Sequence, residues 1–248
     1  MIKSEFTIFP AIDLRQGSVV RLVQGDPRRQ TVYDKNPADT ARRWLDAGSS
    51  WLHVVNLDGA FGEQEAANRL ALARILQVAG EYQAQVQFGG GLRTFDAVRT
   101  VFDMGVARTV LGTILVEQLE VLALALESFG SQRIAAGVDA RDGWVRVRGW
   151  TENTSISARE LSQQLASLGV AWLVFTDVSR DGTGQGLNLA ATVEIAHHTG
   201  INLIASGGVN GPDDILKTRQ AGLAGVIVGR ALYEHKIDLA QMIHLVKA

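Results

Sequence analysis

Eight times along the 248 residues, a short run rich in Val and Ile gives way to a longer helical pattern. The first half reads as strand 7–12 then helix 37–47, strand 51–55 then helix 65–79, strand 84–88 then helix 94–104, and strand 108–111 then helix 117–129. The second half continues with 134–138 and 157–168, 171–175 and 189–198, 202–205 and 212–220, then 225–228 and 238–247. At about 31 residues per unit, each is the size of one strand–helix step. Strands this short and this apolar are buried on both faces, which demands a parallel sheet covered by helices. Glycine follows the pattern at Ala47-Gly48, Met104-Gly105, Leu168-Gly169 and Ala221-Gly222, where a helix stops in the left-handed conformation. Pro37 and Pro212 stand at helix starts, where a missing N–H costs little. No linker interrupts the rhythm. The expectation is one α/β domain over residues 1–248, a single (β/α)8 barrel, with a doubly wound open sheet as the other possibility.

Composition narrows the function. A net charge of −2 leaves no basic surface for a phosphate backbone, so nucleic acid is not the expected partner. The absence of Cys excludes disulfides, thiolate nucleophiles and Cys-ligated metal centres. Met1-Ile2-Lys3-Ser4-Glu5 leads into the first strand without the apolar stretch of a signal peptide, and nothing approaches a membrane span. A cytoplasmic monomer with no membrane partner, acting on a small molecule, is expected.

The two halves also resemble each other. Gly89-Gly90-Gly91-Leu92-Arg93-Thr94-Phe95-Asp96 aligns without a gap on Ser206-Gly207-Gly208-Val209-Asn210-Gly211-Pro212-Asp213, and the same spacing pairs Gly105 with Gly222 and Gly112 with Gly229. Separate matches set Trp51-Leu52 beside Trp172-Leu173 and Ile12-Asp13 beside Val138-Asp139. Two fused half-barrels are expected, roughly 1–125 and 126–248, with each functional device present twice.

The first device is a phosphate cradle. A strand that runs into Gly90-Gly91, or into Gly207-Gly208, and then opens a helix leaves backbone N–H groups for an anion. The next unit adds Gly112-Thr113 in one half and Gly229-Arg230 in the other, so two successive loops can converge on one phosphate. Two cradles imply a substrate with a phosphate at each end. Arg21 and Arg93, both after strands, either add charge-assisted bonds or are solvated.

The second device is a carboxylate after an apolar strand, Asp13 in one half and Asp139 in the other, on strands across the barrel from each other. Two such groups can divide acid and base roles. Asp181, in Thr176-Asp177-Val178-Ser179-Arg180-Asp181-Gly182-Thr183, is a third candidate, or merely a turn residue. The five histidines show no metal spacing, no lysine follows a barrel strand, and there is no Walker motif. Acid–base chemistry with neither metal nor cofactor is therefore expected. Two strand-like insertions, 18–24 and 144–150, are placed to cover the barrel mouth, where Trp150 or Trp144 can stack on a flat substrate.

Taken in order, several runs resemble a known family. They are Phe9-Pro10-Ala11-Ile12-Asp13-Leu14 with Val20-Arg21-Leu22-Val23-Gln24-Gly25, His53-Val54-Val55-Asn56-Leu57-Asp58-Gly59-Ala60, Gly89-Gly90-Gly91-Leu92-Arg93, Gly149-Trp150, Thr176-Asp177 with Arg180-Asp181-Gly182-Thr183, Ser206-Gly207-Gly208-Val209, and Val228-Gly229-Arg230-Ala231-Leu232-Tyr233. Across essentially the whole chain they resemble the phosphoribosylformimino-aminoimidazole carboxamide ribotide isomerases of histidine biosynthesis. The resemblance implies an Amadori rearrangement of an aminoaldose bisphosphate to an aminoketose. It implies Asp13 as base, Asp139 as a second essential carboxylate, Asp181 and Thr176 as further catalytic residues, and leaves open which Asp is the acid. Arg21, His53 and Trp150 are implied to touch substrate, Trp150 by stacking. A dual-substrate variant that also takes phosphoribosyl anthranilate shares these motifs. The sister cyclase usually has Cys-Leu-Asp where Ala11-Ile12-Asp13 stands, and Lys in place of Arg21. A barrel that binds a bisphosphate without turnover is disfavoured, because facing carboxylates repel an anionic ligand.

Overall fold

The computed structural model describes residues 5–247; the N-terminal Met1 to Ser4, read above for a leader, lies outside the described residues. Twelve strands occur among the described residues: β1 (Thr7–Arg15), β2 (Ser18–Val23), β3 (Asp26–Asp34), β4 (Trp51–Asn56), β5 (Gln85–Gly89), β6 (Arg108–Leu111), β7 (Ile134–Arg141), β8 (Trp144–Val147), β9 (Glu152–Ser157), β10 (Trp172–Asp177), β11 (Asn202–Ser206) and β12 (Gly225–Val228). Eight of them, β1, β4, β5, β6, β7, β10, β11 and β12, pair in parallel, and β12 returns to β1 to close a barrel. The fold is the (β/α)8 barrel, not the open sheet.

Helices cover the outside because their starts and faces are encoded locally. Pro37 and Pro212 open the helices Pro37–Asp46 and Pro212–Gln220. Thr94 caps Phe95–Asp103, and Ser157 with Glu160 forms a reciprocal capping box on Ala158–Ser167. Two apolar cores result. A large one lies between sheet and helices, and a small one fills the barrel bore with Phe9, Ala11, Ala135, Trp172, Val174, Ile204 and Ile227.

Alternation places the site. Residues facing the bore recur at every second position, so the apolar Phe9 and Ala11 are followed on the same face of β1 by Asp13. The bore is plugged below and polar at its carboxyl-end mouth.

Four features differ from the expectation. First, β1 and β7 do not stop at residues 12 and 138 but run on to Arg15 and Arg141, where each becomes one arm of an antiparallel hairpin. Second, β3 and β9 have no counterpart in the strand pattern read from the sequence: both are mainly polar and poorly buried, and in the sheet β3 pairs with β2 and β9 with β8. Third, the stretch 144–150 is not one strand, because Arg148, Gly149 and Trp150 all have positive φ (53°, 63° and 69°) and turn the chain after β8. Fourth, one-turn helices Leu57–Phe61, Ile114–Glu117 and Arg230–Tyr233 fill loops at the mouth.

Candidate active site

Three carboxylates meet at the mouth. Asp13 on β1 lies between Val55 of β4 and Val20 of β2, and Asp139 on β7 lies beside Thr176 of β10. Asp181 comes from the loop after β10. The first hairpin reaches across to that loop, where Gln24 N–H donates to the Asp181 carbonyl (3.0 Å) and its side-chain amide to the Ser179 carbonyl (2.7 Å). This crossing carries Arg21, on β2, between two carboxylates. Its Nη1 donates to Asp13 Oδ2 at 2.6 Å, and its Nη2 lies 3.8 Å from Asp181 Oδ1. Arg21 is thus a strand residue built into the site rather than a solvated loop residue.

Burial sets the proton affinities. It pushes Asp13 up to about 6, against the pull of the Arg21 cation and with help from the Asp181 charge. Burial also raises Asp139, although the Trp150 indole N–H and the Thr176 hydroxyl favour its ionised form. Asp181 is raised by burial too, opposed only by Arg21. Burial works against the Arg21 charge, yet Asp13 and Asp181 hold its proton more firmly than usual. Carboxyl groups moved toward neutral pH can exchange protons with a substrate.

The cradles flank these groups. Gly90 and Gly91, after β5, pack on the turn after β4, where a Cβ on Gly90 would lie 2.2 Å from the Asn56 carbonyl oxygen and one on Gly91 would lie 2.8 Å from Gly59 Cα. The other half repeats the contact. A Cβ on Gly207 would lie 2.6 Å from the Asp177 carbonyl oxygen, and one on Gly208 2.6 Å from that of Gly186. All four glycines have positive φ, between 78° and 96°. Side chains at Asn56 and Asp177 brace the turns beneath: Asn56 accepts from Gly59 N–H, and Asp177 accepts from Ser179 N–H and from the Asn188 amide. Sequence reading missed both braces, whose only signal was a polar residue at the end of an apolar strand.

Gly90, Gly91, Arg93, Gly112 and Thr113 share one cavity with Asp13, Asp139, Asp181, Thr176, Arg21, His53 and Trp150. Gly207, Gly208, Gly229 and Arg230 line a second, smaller cavity of about 20 Å³, which shares Arg21, Asp181, Ser206 and Ile227 with the first. The guanidinium of Arg21 lies against Gly229, where a Cβ would come within 2.2 Å of Nη2, so it stands at the junction of the two cavities. Arg93 donates to the Ala60 carbonyl at 3.1 Å and forms no ion pair among the described residues, which leaves its charge for an anion. Arg230 donates to the Gly182 carbonyl (2.7 Å) and pairs with Glu234.

Substitution at these glycines has a definite expected outcome. Gly207→Ala combines a left-handed backbone with a backbone clash and should cost about 3 kcal/mol or more. Gly48, with φ of +91° but open space where a Cβ would stand, is the control, and Gly48→Ala should cost only about 1 kcal/mol. Urea midpoints of the two variants check the difference.

The second hairpin brings in Trp150 and leaves Trp144 out. Trp150 donates from Nε1 to Asp139 Oδ2 at 2.8 Å, and its ring lies against Gly25 of the first hairpin. Trp144 is half exposed on the outer face, away from the mouth. Gly182 in turn lies under the first hairpin, where a Cβ would sit 2.3 Å from the Leu22 carbonyl oxygen. The mouth is therefore roofed from both halves, with its indole already on a carboxylate. His53 is buried, lines the cavity, and burial with the nearby Arg21 pushes its imidazole down to about 3, so it is neutral. Among the described residues no group of His, Asp or Glu is arranged to hold a metal ion. No described helix is long and apolar enough to cross a membrane.

The family described as histidine biosynthesis protein matches residues 7–238. A 1-(5-phosphoribosyl)-5-((5-phosphoribosylamino)methylideneamino) imidazole-4-carboxamide isomerase of Novosphingobium aromaticivorans is 46% identical over 244 residues, 97% of this chain and 99% of the relative. Proteins of the same name from Moorella thermoacetica (44% over 237 residues, 94% and 96% of the two chains) and Bacillus licheniformis (40% over 248 residues, 99% of each) are similar throughout.

Proposed function

The chain belongs to the histidine biosynthesis protein family, and from that premise we propose how its site isomerises an aminoaldose carrying two phosphoribosyl groups to the corresponding aminoketose. One observation carries the reading: three half-buried carboxyl groups with raised proton affinity stand between two glycine cradles. Two cradles suit a substrate with a phosphate at each end, one held by Gly90, Gly91, Arg93, Gly112 and Thr113, the other by Gly207, Gly208, Gly229 and Arg230. Backbone N–H groups and these guanidinium ions fix the ends and leave the sugar between the carboxylates.

The chemistry follows from the charges. An acid protonates the ribose ring oxygen and the C1′–O bond breaks, giving an iminium ion at C1′. Asp13, ionised and unusually basic for a carboxylate, then removes the C2′ proton. The electron pair flows into the iminium to give an enolamine, which becomes the aminoketose when C1′ gains a proton and the C2′ hydroxyl gives one up as its oxygen becomes the ketone. Thr176 orients Asp139, Trp150 leaves Asp139 to stack on the heterocycle, and Arg21 moves from the carboxylates to an incoming phosphate. Acid and base suffice for each step, so no cofactor is invoked. A monomer acting in the cytoplasm, built from half-barrels of roughly 1–125 and 126–248, belongs to the same proposal.

The test is a steady-state assay on the aminoaldose bisphosphate and, in parallel, on phosphoribosyl anthranilate, across pH. Turnover of the first alone is expected. Because the base must be ionised, kcat/KM should rise with pH through about 6 and fall again when the acid loses its proton. A phosphate monoester also titrates near pH 6, so the limb belongs to Asp13 only if it weakens in Asp13→Asn. Turnover of both substrates points to the dual-substrate variant, and turnover of neither overturns the reading.

A further inference from the structure

We propose that Gln87 is a positioning residue that holds His53 in the neutral tautomer protonated on Nε2, and that the buried cation Arg108 fixes the orientation of the Gln87 amide. Use of that tautomer toward an oxygen of the substrate rests on the function proposed above; the tautomer itself does not.

The observation is a line of three polar side chains on adjacent strands of an otherwise apolar bore. His53 on β4 is in register with Gln87 on β5, and Gln87 with Arg108 on β6. All three are buried, Gln87 completely. A polar group in such a place is costly unless its partners are satisfied. Arg108 has no carboxylate partner among the described residues. Its guanidinium is sandwiched between the rings of Trp172 and Trp51, 3.8 and 4.6 Å from their centroids, and its Nε donates to the Gln132 carbonyl at 3.2 Å. Aromatic faces and a carbonyl thus hold a cation at the floor of the barrel. Burial lowers it to about 10, so it still carries its charge at neutral pH.

That charge decides which way the Gln87 amide points. Arg108 Nη1 faces Gln87 Oε1 at 3.5 Å, a long contact that acts through the field of the cation. The reverse orientation would set an NH2 group against a guanidinium, donor on donor. With the oxygen committed to Arg108, the Gln87 NH2 lies 2.8 Å from His53 Nδ1. A nitrogen that receives a hydrogen bond carries no proton, so the ring proton of neutral His53 is on Nε2. Nε2 has no partner among the described residues, and His53 lines the substrate cavity. The ring is thereby fixed as a hydrogen-bond donor, unable to act as a base at neutral pH.

Nitrogen-15 NMR of the labelled protein reads the tautomer directly, with His53 assigned by its loss in His53→Asn. The expected result is a bare Nδ1 and a protonated Nε2. In Gln87→Glu the carboxylate accepts from Arg108 and from the ring, so Nδ1 must gain a proton. There kcat/KM for the aminoaldose bisphosphate should fall about tenfold to a hundredfold, the scale of one lost hydrogen bond. Gln87→Met, which keeps length without an amide, should leave the ring in both tautomers with a smaller loss, and serves where the glutamate variant does not fold. A protonated Nδ1 in the unaltered protein overturns the proposal. So does a variant that loses activity with the tautomer unchanged, or a Gln87→Glu protein that has Nδ1 protonated and Nε2 bare yet keeps kcat/KM within about twofold. If the unaltered protein turns over neither substrate, the proposed function falls while the tautomer measurement still stands.

Discussion

Replacing Asp13 by Asn should lower kcat by about a thousandfold and leave KM nearly unchanged. The side chain keeps its shape and its carbonyl oxygen can still accept from Arg21, so the cradles and the hairpin crossing are undisturbed. What is lost is the carboxylate proposed as the base, whose proton affinity burial has moved from the ordinary 3.8 to about 6. The same shift has a consequence for stability, with a definite sign. Between about pH 4 and pH 6 the unfolded chain has already released this proton while the folded protein keeps it. As pH rises through that window, the folded state loses the advantage of the protonated group and then bears the cost of a buried anion. An amide in place of the carboxyl group has no such titration. The melting temperature of Asp13→Asn relative to the unaltered protein should therefore climb from about pH 4 to pH 6 and level off above it. Thermal melts of both proteins at matched pH, set beside the kinetics, check the two halves of the prediction. A variant that loses activity while losing stability equally at every pH would point to damage rather than to a missing base.

The barrel and the carboxylates could be read from the chain because burial on two faces writes itself into composition. Ile134 to Val138 is an unbroken apolar run, and a charged residue directly after it has no bland explanation when the same thing happens at Ile12-Asp13. The glycine cradles were legible for the complementary reason, that only glycine tolerates the left-handed φ and the backbone contacts found at Gly90 and Gly207. Other features carry no such mark. β3 is exposed through Pro27 to Val32 and pairs in the sheet with another hairpin arm, so no apolar period is imposed along most of it. Trp144 and Trp150 look alike in the sequence, and the turn through Arg148, Gly149 and Trp150 alone decides which enters the mouth. Gln87 and Arg108 are single polar residues in short strands. Only the register of β4, β5 and β6 shows that they form a line with His53.

Register and charge also bear on the acid, which the sequence left between Asp139 and Asp181. Asp139 accepts from the Trp150 indole, and the Thr176 hydroxyl bonds to it as well; both donors favour an ionised carboxylate. Asp181 has only Arg21 to oppose burial, and it lines both cavities, including the small one between Gly207, Gly208 and Gly229. A phosphate dianion in that cradle adds negative charge beside Asp181 and draws Arg21 toward itself. Each effect strengthens Asp181's hold on a proton at the moment substrate arrives. Asp181 is therefore the expected acid, with Asp139 the ionised group that orients Trp150 and stabilises the cationic iminium. Asp181→Asn should lower kcat by about a thousandfold and abolish the alkaline limb of the pH profile. Asp139→Asn should retain that limb and lower kcat by about tenfold to a hundredfold, because the amide lacks the charge that stabilises the iminium. The opposite assignment of the limb, lost in Asp139→Asn and kept in Asp181→Asn, would give the proton to Asp139. The cradle would then influence the reaction only by holding the substrate in place.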